Sequence, residues 1–251
     1  MAGRAAAAAE AEAHYRRMLR LAEMRPGELA QALETEPAAW LESAARYGLA
    51  EAQLRLGQLL LDRQPPDAAA ALAWFGRAAA QGSAEAMNMV GRCLENGWGG
   101  VVDLPGAAAW YQRAAGAGLD WGQYNYANLL FDGRGIGQDQ AEACVWYARA
   151  AAQGHARAMN LLARACEEGW GVARDPAAAG DWYRRSAEAG YFRAQYNHAT
   201  LLAADGQLAE AVGWFERALA GAPVEARASM AQALSRHPDP RIAALARLRA
   251  A

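Results

Sequence analysis

Strings of β-branched residues are missing from this chain, and with them any basis for a β-sheet. Alanine and leucine stand in their place at helical spacing, so the chain is expected to be all-α. No run of about 18 apolar residues escapes a charge, which excludes a membrane-spanning helix. Neither sign of charge is in surplus. The 25 basic and 27 acidic residues leave a net charge of −2, too weak a field to hold a polyanion or an anionic membrane, so neither nucleic acid nor membrane is expected as a partner. Cysteine is scarce. Cys93, Cys144 and Cys166 form no CxxC pair and cannot all be bridged, which suits a reducing compartment. The alanine run at 5–9 is too short and too weakly apolar for a signal-peptide core, and a cytoplasmic location is expected. With 54% hydrophobic residues the chain can bury a core.

What the sequence does contain is a repeat. Trp40-Leu41, Trp74-Phe75, Trp110-Tyr111, Trp146-Tyr147, Trp182-Tyr183 and Trp214-Phe215 follow one another at steps of 34, 36, 36, 36 and 32 residues. Asp67, Asp103, Asp139 and Asp175 stand seven residues before a tryptophan, where a short acceptor side chain caps a starting helix. Gly48, Gly82, Gly118, Gly154 and Gly190 stand eight residues after one, where a closing helix favours a left-handed residue. A second helix is marked by small residues twelve and seventeen positions past the tryptophan, for example Ala86 with Gly91 and Ala158 with Ala163. The loops ENGWGG (95–100), DGRGIG (132–137) and EEGWGV (167–172) return the chain.

This combination of a small residue on one helix, a glycine loop, aspartate, and Ala-xx-Trp-Tyr-xx-Ala-Ala-xx-Gly on the next helix resembles the Sel1-like repeat, a relative of the tetratricopeptide repeat. The resemblance implies a right-handed α-solenoid of about five to six helix-turn-helix repeats over residues 38–235. Helical caps are expected at 1–37 and 236–251. One branch of the family is cysteine-rich, with a disulfide in each repeat, and this chain lacks the pairs. Its three cysteines read as small buried hydrophobes.

A longer period runs inside the first. AMNMVGRCLENGWGG (86–100) matches AMNLLARACEEGWGV (158–172), whereas GQYNYANLL (122–130) matches AQYNHATLL (194–202), so the units alternate with a period of 72 residues. Packing needs only size and apolarity, and it does not obviously require this alternation of polar residues.

The resemblance implies that the non-tryptophan helices line a concave surface along which ligand segments lie. On that face fall Asn88 and Arg92; Trp121, Tyr124, Asn125 and Asn128; Arg157, Asn160 and Arg164; and Arg193, Tyr196, Asn197 and Thr200. Asparagine can hold a peptide backbone, arginine a carboxylate, and the aromatic rings supply apolar area. A solvated helix face is the bland alternative for the same residues. Trp98 and Trp170, in the glycine loops, are candidate loop anchors or else pack on the adjacent repeat.

The chemistry of catalysis is hard to find. DGRGIG follows a helix rather than a strand, unlike a dinucleotide loop. His14, His155, His198 and His237 are scattered without ligand spacing, so no metal is expected, and His198 sits on the apolar ridge as a core histidine. No serine occupies a nucleophile elbow. The expected function is a monomeric adaptor or scaffold that binds a protein or peptide, without cofactor and without catalysis. The rivals are a hydrolase or small-molecule binder in the same groove and a structural subunit of a larger assembly.

Overall fold

A computed structural model places residues 37–247, together with Ala13, Arg16, Arg17 and Arg20. Among these residues there are thirteen α-helices, one 3-10 helix and no strand. They are α1 (Pro37–Tyr47), α2 (Ala50–Asp62), α3 (Ala68–Ala80), α4 (Ala84–Asn96), α5 (Leu104–Gly116), α6 (Asp120–Asp132) and α7 (Gln140–Ala152). There follow α8 (Ala156–Glu168), α9 (Pro176–Glu188), α10 (Phe192–Ala204), α11 (Leu208–Gly221), α12 (Val224–Leu234), α13 (Pro240–Ala244) and the 3-10 helix Leu245–Arg247. The chain divides into two compact units, Met1–Gly122 and Gln123–Ala251. Within each, helices pack chiefly on their neighbours in sequence, as the hairpins of an α-solenoid do. No described helix is long and apolar enough to cross a membrane.

Local chemistry fixes the boundaries. The Oδ1 atoms of Asp67, Asp103, Asp139 and Asp175 accept hydrogen bonds from the amides of Ala70, Gly106, Glu142 and Ala178 at 3.1, 2.9, 2.8 and 3.0 Å, opening α3, α5, α7 and α9. Pro105 and Pro176 sit in the first turns of α5 and α9, where a missing N–H costs nothing. Gly82 (φ 93°) and Gly154 (φ 93°) turn the chain after α3 and α7 in a conformation that side chains with a Cβ avoid.

The tryptophans that announce the repeat are not its deepest residues. From the second unit on, the ring that follows each is: Phe75, Tyr111, Tyr147, Tyr183 and Phe215 are all at most 2% exposed, whereas in the first unit Trp40 is itself buried and Leu41 half-buried. Trp74, Trp110, Trp146, Trp182 and Trp214 are half-buried, and each carries over its face the guanidinium of the arginine three residues on, at 4.3 to 4.6 Å. The small residues seventeen past the tryptophan make room for those core rings. A Cβ on Gly91 would lie 2.7 Å from the Tyr111 ring.

A buried phenol needs an acceptor, and the acceptors alternate. Tyr111 donates to Glu95 at 2.8 Å, Tyr147 to Asn128 at 2.8 Å and Tyr183 to Glu167 at 2.7 Å. Buried glutamines alternate with methionine at a second position. Gln53 and Gln195 donate to the carbonyls of Ala45 and Ala187, and Gln123 accepts from Gln153, whereas Met87 and Met159 stand at the matching positions of the intervening units. The 72-residue period is therefore in good part an alternation of buried hydrogen bonds, and packing requires more of it than hydropathy suggested.

The expected N-terminal cap, 1–37, lies outside the described residues but for Pro37 and the four isolated positions, and so does His14. At the other end Ile242 and Leu245 are buried in one cluster with Phe215, Leu219 and Leu234.

Candidate functional site

The first unit holds three of the expected site residues on α4 and α6 and one loop anchor. Asn88 on α4 is buried, at 8% exposure. Arg92 is exposed, with its guanidinium 5.2 Å from the centre of the Trp98 ring. Trp98 is half-buried against the core cluster of this unit and, with Met89 and Leu61, lines a cavity of about 610 Å³. Trp121 is 43% exposed.

The second unit collects most of the rest. Tyr124 of α6, Arg157, Asn160 and Arg164 of α8, and Arg193, Tyr196 and Asn197 of α10 line a single open groove of about 690 Å³, closed on one side by Ser229, Met230 and Ala233 of α12. Their chemistry is not uniform. The Asn197 side-chain amide donates to Oδ1 of Asn160 at 3.1 Å, tying α10 to α8, and Asn160 is only 4% exposed. The Tyr196 ring meets Phe215 edge-on at 5.2 Å. Tyr124 stacks on His155, with ring centres 4.7 Å apart. Arg157, Arg164 and Arg193 are exposed, and each guanidinium stands over a ring: Tyr191 at 6.0 Å, Trp170 at 5.2 Å and Phe192 at 5.6 Å.

Three expected residues do not line the groove. Asn128 is the acceptor for Tyr147. The Thr200 hydroxyl donates to the Tyr196 carbonyl at 2.9 Å. Asn125 is half-buried on α6. Trp170 is half-buried, with its ring edge-on to Phe131 at 5.6 Å and its carbonyl accepting from the Cys144 thiol.

The groove also contains Tyr191 and Phe192, which sequence reasoning passed over. The signal was there: Tyr191 is the residue before α10, the place taken before α4 and α8 by the capping Ser83 and His155. An aromatic residue where a cap is expected is locally unfavourable. Burial pushes the Tyr191 phenol up, while the cations Arg193 and Arg157 draw it back.

Titratable groups elsewhere are structural in character. His198 is buried, edge-on to Trp214 at 5.4 Å, and burial holds it below the ordinary imidazole range. Burial raises the thiols of Cys93 and Cys144 to about 11. Among the described residues no group of three His, Cys, Asp or Glu side chains could hold a metal ion.

Five matches to the Sel1 repeat, over residues 50–83, 84–119, 122–155, 156–191 and 193–221, cover most of the chain, which belongs to the Sel1 repeat family. Repeats of this family generally mediate protein–protein interaction, and the fold is typically non-catalytic. Among solved structures the chain is similar to c5321, a protective antigen of uropathogenic Escherichia coli strains with an SLR fold, at 23% identity and a TM-score of 0.72. That match takes in 89% of this chain and 53% of that one, so the chain spans about half the length of that protein. A Sel1 repeat protein from Oxalobacter formigenes matches at 22% identity and a TM-score of 0.72, over 89% of this chain and 99% of that one. The immunity protein PA5088 from Pseudomonas aeruginosa matches at 18% identity and a TM-score of 0.55, over 80% and 79%. Such likeness speaks for the fold alone. No curated protein matches.

Proposed function

We propose that the protein is an adaptor or scaffold whose second unit grips a peptide segment or protein surface in the groove between α6, α8, α10 and α12. The observation that carries this reading is convergence. Seven side chains of the types that hold a peptide, drawn from three successive non-tryptophan helices, line one open groove of about 690 Å³. Tyr191 and Phe192 add apolar area beside them. A hydrolase in the same groove would need an activated nucleophile, and the Ser229 hydroxyl instead donates to the Glu225 carbonyl at 3.2 Å.

Filling the groove without changing its charge tests the reading. Ser229 is exposed on α12, so Ser229→Trp projects an indole into the groove from outside the core. Tagged wild-type and Ser229→Trp chains are recovered from the native cell, and co-purifying proteins are identified by mass spectrometry. A partner held by the wild type and lost from the variant, with an unchanged melting curve, is the expected result. The same partners recovered with both chains would refute the site. Exposed positions on the tryptophan helices, Gln112→Ala and Arg149→Ala, serve as controls that should leave capture intact.

A further inference from the structure

The cavity at Trp98 has a counterpart in the second unit. Leu61 and Phe131 both stand 21 residues past a tryptophan, and hydrogen bonds fix the same register: the Asp67 amide donates to the Leu60 carbonyl and the Asp139 amide to the Leu130 carbonyl, both at 2.9 Å. The loop glycines agree as well. A Cβ on Gly99 would strike the Ala68 carbonyl, and one on Gly171 the Gln140 carbonyl. Arg92 over Trp98 and Arg164 over Trp170 repeat the same 5.2 Å.

The groups that fill the second site are lacking in the first. The Phe131 ring lies edge-on to Trp170 at 5.6 Å, and the Gln138 side chain, one residue before the capping aspartate, donates to the Phe131 carbonyl at 2.9 Å. In the first unit these places hold Leu61 and Pro66, and Ala68 replaces Gln140. Each change removes side-chain volume, and all three smaller residues line the cavity of about 610 Å³. Packed interiors leave few voids larger than a water, so three reductions around one indole are not a packing solution.

The loop beside the opening departs in the same sense. Val101 and Val102 are 84% and 59% exposed, where the second unit has Ala173 and Arg174. Gly97 lines the cavity, and a Cβ on it would meet Val102 at 3.2 Å, so the valines adjoin the opening. Apolar groups gathered at the surface around an accessible indole mark an interface. The α2 side of the mouth is negative: Asp62, exposed, is the last residue of α2 and adds its carboxylate to the carbonyl end of the helix.

We propose that this cavity is a socket for an aromatic side chain of another protein, carried in a segment with a lysine or arginine within two residues of the ring. The incoming ring takes the place that Phe131 fills in the second unit, against Trp98 and between Leu61 and Met89. The cation beside it meets Asp62, and flanking residues cover Val101 and Val102. The socket lies wholly in the first unit and does not depend on the groove of the second.

A random peptide library displayed on phage is selected against the immobilised full chain, with counter-selection on Leu61→Phe, which supplies from within the ring that the socket lacks. Leu61→Phe should melt no lower than wild type, because the same ring packs against Trp170. Peptides kept by wild type and lost from Leu61→Phe should share a Phe, Tyr or Trp with a basic residue within two positions. Titrated by fluorescence anisotropy, they should bind at least about tenfold more weakly when that aromatic residue is changed to alanine. Asp62→Asn should weaken them about two- to fivefold. Peptides held equally by wild type and Leu61→Phe, peptides lost with Ser229→Trp instead, or no enrichment would overturn the socket. Selected peptides without an aromatic residue, or indifferent to Asp62→Asn, would overturn the stated occupant, as would self-association of the chain that Leu61→Phe abolishes. Should Leu61→Phe melt lower, N-acetylphenylalaninamide is titrated into the wild-type chain while the Trp98 indole N–H, assigned by its loss in Trp98→Phe, is followed by NMR. A saturating shift is expected, and no shift would overturn the socket.

Discussion

Replacing Gly91 with alanine sets two effects of opposite sign against each other. Gly91 is buried in the middle of α4, and helix propensity alone would make alanine stabilising by about 1 kcal/mol. The new methyl, however, would stand 2.7 Å from Cδ1 and Cε1 of Tyr111, about 1 Å inside ordinary carbon contact. The ring has little room to retreat, because it is 1% exposed and its hydroxyl is held by Glu95 at 2.8 Å. Relief would need a ring shift that gives up that bond, worth about 1 kcal/mol, or a spreading of α4 from α5 at the 1 to 3 kcal/mol typical of overpacking. The net expectation is a loss of up to about 2 kcal/mol, or up to roughly 8 °C in melting temperature. Calorimetry of the single variant measures this, and a second background isolates the cause. In Tyr111→Leu the struck ring atoms are gone, so the same glycine change should be neutral or stabilising. A Gly91→Ala chain that melts higher than wild type would refute the steric account.

His198 gives a pH dependence of definite sign. Burial holds its pKa below the unfolded value, Arg184 adds to this, and Glu210 and Glu188 oppose it. Its contribution is therefore present above about pH 6.5 and is lost as pH falls through the lower folded value. The melting temperature should drop between about pH 7.5 and pH 5, and His198→Leu should flatten that slope; equal slopes would remove the histidine as the cause. The thiols of Cys93 and Cys144, raised by burial to about 11, should react with a disulfide reagent only when the chain unfolds, and rapid labelling of the native protein at neutral pH would contradict their burial. Asp139→Ala removes the acceptor for the Glu142 amide and should cost about 1 kcal/mol in denaturant titrations, whereas Asp139→Asn, which keeps an acceptor, should cost less.

Much of the fold is legible in the sequence because its signals are local. The aspartate caps, the closing glycines and the spacing of the small residues each act within a few residues of chain, and the structure shows them where the repeat puts them. The polar face is harder to read because its hydrogen bonds run between repeats. Nothing near Asn197 in sequence reveals that its amide is spent on Asn160, 37 residues away, or that Asn128 serves the Tyr147 phenol. Arg157 and Arg193 could be named from their spacing, but Tyr191 and Phe192 stand at the cap and first position of α10, where a reading of the helix face does not reach. The same limit governs the tryptophans. Their regularity marks the repeat, whereas the adjoining ring fills the core, and only the neighbouring helix decides which of two consecutive large residues is buried.

The bond between Asn160 and Asn197 also bears on how such an array can grow or shrink. Loss of residues 156–191 by recombination would bring the Tyr196-Asn197 helix beside the Tyr124-Asn125 helix, so that a phenol ring stood where the carboxamide had been. Loss of two adjacent repeats would instead return an Asn88-type helix to that place. Copy number in this lineage should therefore change by pairs, with the heritable module about twice as long as the structural one.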